Sequence, residues 1–130
     1  MFGQKEAVVH VVDDDEAVRE SLEALLLVSG FEVATYASAE DFLDRAPEDG
    51  GCLVLDVNMP GMSGLELLER LAKTGRRRQA VILTARRDDG LRELASAFGA
   101  GGVLGKPVRK DELLAAITAA AAPEVCKKRQ

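Results

Sequence analysis

"VVHVVDDDEAVRESL", residues 8–22, changes its period half-way. Four valines broken only by His10 make the continuous apolar run of a strand buried on both faces of a parallel sheet. From about Glu16 to Val28 the apolar residues Val18, Leu22 and Leu25 follow helical spacing instead. Asp13, Asp14 and Asp15 stand at the junction. Close carboxylates repel and raise one another's pKa, so a cation, a helix terminus or water has to compensate them. His10, flanked by valines, reads as a core histidine.

The same strand-then-helix unit recurs down the chain. "GFEVATY" alternates, which marks an edge strand. "SAEDFLDRA" follows as a helix, with Ser38 and Asp41 in capping-box spacing, and Pro47 and Gly50-Gly51 stop it. "CLVLDV" is the third strand. The loop "NMPGM" leads to a helix opened by Ser63 with Glu66 three residues on, a second capping box. "AVILT" is the fourth strand, and Leu91, Leu94, Ala95 and Phe98 mark the inner face of the next helix. "GGVLGKP" is a short fifth strand. A helix rich in leucine and alanine runs from about Lys110 to Ala121, where Pro123 is expected to end it. Five βα units predict an α/β chain with a parallel sheet between two helical layers, taking ligands beyond the carboxyl ends of its strands.

The totals narrow the function. A chain of 130 residues fits one core, with residues 1–122 as the domain and 123–130 as a tail or the start of a linker. Hydrophobic content of 47% and charged content of 30% suit a soluble globular protein, and no apolar run approaches the roughly 20 residues that span a bilayer. With no signal-peptide pattern, the expected location is cytoplasmic. A formal charge of −5 argues against nucleic-acid binding by this domain alone, "GRRRQ" reading as a solvated loop. Cys52 and Cys126 suggest neither a disulfide framework nor a zinc site.

A parallel sheet would bring residues far apart in sequence to one edge. Strand one delivers Asp13 to Asp15, strand three Asp56, strand four Thr84 and strand five Lys106. Converging carboxylates of this kind need a cation, and oxygen ligands suit Mg²⁺. A lysine and a threonine beside it suggest a phosphoryl ligand. Asp56 is the best nucleophile, because a carboxylate beside a metal can accept a phosphoryl group as an aspartyl phosphate. No histidine base is required.

"VVDDDEAVRESL", "LVLDVNMPGMSGLELL", "VILTA" and "GKP" together resemble the receiver domain of two-component response regulators, most of all the branch typified by nitrogen-fixation regulators. The likeness covers residues 8 to 118. It implies a doubly wound, flavodoxin-like (βα)5 three-layer sandwich with sheet order 2-1-3-4-5. It further implies that Asp56 is phosphorylated from a phosphohistidine on a sensor histidine kinase or phosphotransfer protein. Asp13, Asp14, Asp56 and the Asn58 carbonyl would serve Mg²⁺, with Mn²⁺ as an alternative, Asp13 acting mainly through metal-bound water. Thr84, the Ala85 amide and Lys106 would hold phosphoryl oxygens, and a cis bond before Pro107 would aim the lysine. Asn58 and Arg86 occupy the positions that tune phosphoryl lifetime.

One position departs from the pattern. Val103 stands where the family often carries Tyr or Phe, so output is expected through the loop after Thr84 and the helix holding Leu91 and Phe98. The expected role is a signalling phospho-acceptor whose catalysis is self-directed, not an enzyme acting on other substrates. A homodimer through the fifth strand and the last two helices, and a DNA-binding output domain beyond this chain, are further expectations. The rival readings are a phosphorylation-independent interaction module and an aspartyl-phosphate phosphatase, the latter disfavoured because Asn58 cannot exchange a proton as an aspartate would.

Overall fold

The computed structural model describes residues 8–46, 51–74, 79–85, 89–97 and 100–129. Strands β1 (Val8–Val12), β2 (Glu32–Tyr36), β3 (Cys52–Asp56), β4 (Gln79–Thr84) and β5 (Ala100–Gly105) alternate with helices α1 (Glu16–Val28), α2 (Ala39–Arg45), α3 (Gly64–Lys73), α4 (Asp89–Ala97) and α5 (Lys110–Arg129). All strand pairs are parallel, in the order β2-β1-β3-β4-β5. The chain moves outward from β1 to β2 and then crosses back to place β3 on the other flank of β1. That reversal opens a crevice between the carboxyl ends of β1 and β3, where register pairs Val12 with Leu55.

Strand alternation divides the core into two layers. Leu53, Leu55, Ala80 and Ile82 pack on one face with Phe42, Leu67, Leu71 and Ala95, so this face carries α2, α3 and α4. Val9, Val11, Val54, Val81 and Leu83 face the other way, onto Leu22 and Leu26 of α1 and Leu113 and Ile117 of α5. Each fully buried aliphatic side chain contributes about 1.5–3 kcal/mol. The three-layer sandwich follows from that alternation.

Local signals set the helix starts. The Asp15 carboxylate accepts from the amides of Ala17 and Val18 and caps α1. Ser63 and Glu66 form the reciprocal capping box on α3. On α2 only half of that motif forms: Ser38 accepts from the Asp41 amide, while the Asp41 carboxylate turns to the Ala37 amide and Arg45.

His10 is buried, with Nδ1 3.1 Å from the Tyr36 hydroxyl and its ring edge-on to Phe42. Gly51 lies against it at a φ of +82°, and a Cβ there would meet the imidazole at 2.9 Å and the Val8 carbonyl at 2.7 Å. Only glycine fits that corner.

Two expectations are corrected. Leu94 is 50% exposed instead of facing the core, because 94 lies at the margin of the stripe centred on Leu91 and the buried Ala95. Helix α5 continues through Pro123 to Arg129 instead of stopping before it. A proline deletes one donor and crowds the carbonyl four residues back at a cost near 3 kcal/mol, but the alanines before it and the lysines after it are good helix formers that carry the helix past. The stop expected at Pro47 and Gly50, the basic segment 75–78, Arg86 and Phe98 lie outside the described residues. Among the described residues no helix is long and apolar enough to cross a membrane.

Candidate functional site

Four strands end at one cleft. Asp13 follows the last residue of β1 and is 1% exposed. Its amide donates to the Tyr36 carbonyl at 3.2 Å, and its Oδ1 accepts from the Asp15 amide at 2.9 Å. Asp56 closes β3, 4% exposed, and its Oδ1 accepts from the Asn58 amide at 3.2 Å. Thr84 closes β4 and is buried, while Ala85 beyond it is exposed. The pairing of Thr84 with Gly105 carries Lys106 to the same edge, where its amide donates to the Thr84 carbonyl at 2.7 Å. The Lys106–Pro107 bond is cis.

Lys106 ties the cleft together. Its Nζ lies 3.2 Å from Asp56 Oδ1 and 3.4 Å from Asp13 Oδ2. Burial pushes the Asp56 carboxyl above the ordinary carboxylate range, the Asp13 charge adds to that, and Lys106 and the Asn58 amide only partly offset it. Burial draws the Lys106 ammonium down, but the carboxylates of Asp13 and Asp56 overturn this and leave it above its usual value.

Asp13, Asp14 and Asp56 each offer one carboxylate oxygen, all within 4.8 Å of one another. Ligand oxygens of an octahedral Mg²⁺ stand about 3 Å apart when adjacent and about 4.2 Å when opposite, so this group has to draw together to close on the ion. Three carboxylates and one ammonium leave two formal negative charges, which a divalent cation balances. The donor set and the charge both fit such an ion. Asp14 is the exposed member and leaves room for water ligands.

The sequence-predicted residues Asp13, Asp14, Asp56 and Lys106 therefore meet, with Thr84 at the same edge. Asn58 is exposed and touches the group through its amide. Val103 is half-buried and packs on the core layer under α2, α3 and α4.

The response regulator receiver domain family matches residues 9–118. The chain belongs to that family. As a receiver it is 46% identical over 112 residues to the transcriptional regulatory protein FixJ of Azorhizobium caulinodans, covering 85% of this chain and 53% of that protein. The response regulator StyR superposes with a TM-score of 0.86 at 41% identity, over 94% of this receiver and 62% of that chain. The Vibrio cholerae chemotaxis protein CheY4 superposes with a TM-score of 0.81 at 28% identity, over 88% of this receiver and 98% of that chain. The receiver spans about half the length of the curated relatives it matches.

Two residues of the receiver site escaped the sequence reading. Arg19, on α1, donates from Nη1 to the Asp13 carbonyl at 2.8 Å. An arginine on an amphipathic helix reads as a solvated charge, and nothing in its spacing marks it otherwise. Gly64 opens α3 so close to Asp56 that a Cβ would come within 2.5 Å of the Asp56 carbonyl oxygen. The sequence marks the cap at Ser63 beside it and carries no sign of this approach.

Proposed function

We propose that this receiver accepts a phosphoryl group from a phosphohistidine onto Asp56 in a Mg²⁺-dependent reaction, and that the modified state changes its output face. The observation that supports it best is the placement of Lys106 between the carboxylates of Asp13 and Asp56. Mg²⁺, when bound, supplies charge neutralisation for the phosphoryl oxygens. Asp13, Asp14, Asp56 and the Asn58 carbonyl are its ligands in this reading, Asp13 partly through water.

The chain's own steps are positional. An Asp56 carboxylate oxygen attacks phosphorus in line as the P–N bond to the donor imidazole breaks, and the bonding pair leaves with the imidazole nitrogen. Lys106 pairs with one phosphoryl oxygen, and the Thr84 hydroxyl and Ala85 amide donate to others. In this reading the residue types at positions 58 and 86 tune how fast water hydrolyses the acyl phosphate, which makes the receiver its own catalyst. The partner is a sensor histidine kinase or phosphotransfer protein, and the receiver meets it in the cytoplasm. Output passes through α4, and the homodimer we infer uses α4, β5 and α5, where Leu94 is exposed. The twofold greater length of the relatives supports a separate output domain in the whole protein.

The test is to add beryllofluoride with Mg²⁺ and follow backbone amides by NMR. Shifts centred on residues near Asp56, absent in Asp56→Ala, are expected. An unresponsive wild type would favour the phosphorylation-independent interaction module.

A further inference from the structure

We propose that Arg19 is a positioning residue for the cation site, holding the peptide between Asp13 and Asp14 so that the Asp14 carboxylate points into the cleft. The inference rests on the metal-site reading above. β1 pairs with β3 only as far as Val12, so the Asp13–Asp14 peptide has left the sheet. Its carbonyl is instead held by Arg19 Nη1 at 2.8 Å. Asp13 itself is anchored further by the Tyr36 carbonyl, the Asp15 amide and Lys106.

Asp14 has no such anchors. It is exposed, and among the described residues its carboxylate forms no hydrogen bond or ion pair. Its direction is set by the backbone that carries it, and Arg19 holds that backbone. Arg19 is half-buried and, although its charge is felt at Asp41, it forms no salt bridge among the described residues, and its hydrogen bond goes to a carbonyl. A charge-assisted bond of this kind is stronger than a neutral one.

The two effects available to Arg19 have opposite signs. As a bare positive charge it opposes a divalent cation, and its removal should tighten Mg²⁺ binding. As a holder of the Asp13–Asp14 peptide it supports the cation, and its removal should weaken binding. Outer partners of metal ligands typically contribute 10- to 100-fold to affinity.

The experiment is calorimetric titration of Mg²⁺ into the full chain, with each variant first shown to be folded by its thermal melt. Arg19→Met should weaken binding about tenfold, and Arg19→Lys, which keeps a donor, should recover most of it. Asp14→Asn keeps an oxygen ligand and serves as the second arm. If Arg19 acts through Asp14, the double variant Arg19→Met with Asp14→Asn should bind almost as Asp14→Asn does, a non-additivity that a general structural defect would not produce. Unchanged or tighter binding in Arg19→Met, or fully additive losses, would overturn the role. A wild type blind to Mg²⁺ would instead overturn the metal-site reading, and this role with it.

Discussion

Lys106 Nζ stands between two buried carboxylates, 3.4 Å from Asp13 Oδ2 and 3.2 Å from Asp56 Oδ1, although 93 and 50 residues of sequence separate them. Parallel pairing alone makes this possible, since β1, β3 and β5 end at the same edge. Lys106→Met leaves both acids without their cation. We expect a loss of about 2 kcal/mol in metal-free urea unfolding, below the 3–5 kcal/mol of a fully buried pair because Lys106 is partly exposed and Asp56 can protonate. Added Mg²⁺ should restore part of that loss. Equal stability of variant and wild type in EDTA would refute it.

Asp56 carries the opposite sign. Its folded pKa is raised above the ordinary 3.8, so folding disfavours the charged form. Its contribution to stability is fully present below that ordinary value and is lost as pH rises through the raised one. Asp56→Asn, which mimics the neutral acid, should therefore stabilise the metal-free chain at pH 7. The difference between the two melting curves should shrink toward pH 4. A variant less stable than wild type at pH 7 in EDTA would contradict the direction.

The three adjoining aspartates separate into two jobs. Asp14→Ala should abolish Mg²⁺ affinity and Asp13→Ala should weaken it, whereas Asp15→Ala removes the cap that Ala17 and Val18 use. That last change should lower stability by about 1 kcal/mol and leave Mg²⁺ affinity intact. Titration of all three variants checks the division, and an Asp15→Ala as defective in binding as Asp14→Ala would sink it.

Gly64 tests the approach of α3 to the acceptor. A methyl group there would come 2.5 Å from the Asp56 carbonyl oxygen, and backbone cannot yield as a side chain tip can. Gly64→Ala should cost about 2 kcal/mol through overpacking and slow acceptance of a phosphoryl group more than Asp15→Ala does. Thermal melts and phosphorylation rates measured together decide it.

Much of this was legible because strand ends and helix caps are local signals. Asp13, Asp56, Thr84 and Lys106 each sit where an apolar run stops, and a parallel sheet has one place to put them. Ser63 and Glu66 announced α3 by spacing alone. Arg19 was not legible, because its partner is a backbone carbonyl, which has no residue type. Gly64 was not legible either, because its constraint is the approach of the Asp56 carbonyl and not a local pattern. Leu94 was misplaced because periodicity gives the centre of an apolar stripe better than its margin, and Pro123 because propagation by its helical neighbours outweighed a local breaker. The half capping box at Ser38 shows that spacing permits a motif without forcing it.

Above all, Asp56 is proposed as the phospho-acceptor of a Mg²⁺-dependent site. Intact-protein mass spectrometry after incubation with acetyl phosphate measures it most directly. The expected result is a gain of one phosphoryl group that requires Mg²⁺, maps to the peptide containing Asp56 and vanishes in Asp56→Asn. No gain in the wild type, or the same gain in Asp56→Asn, would contradict it.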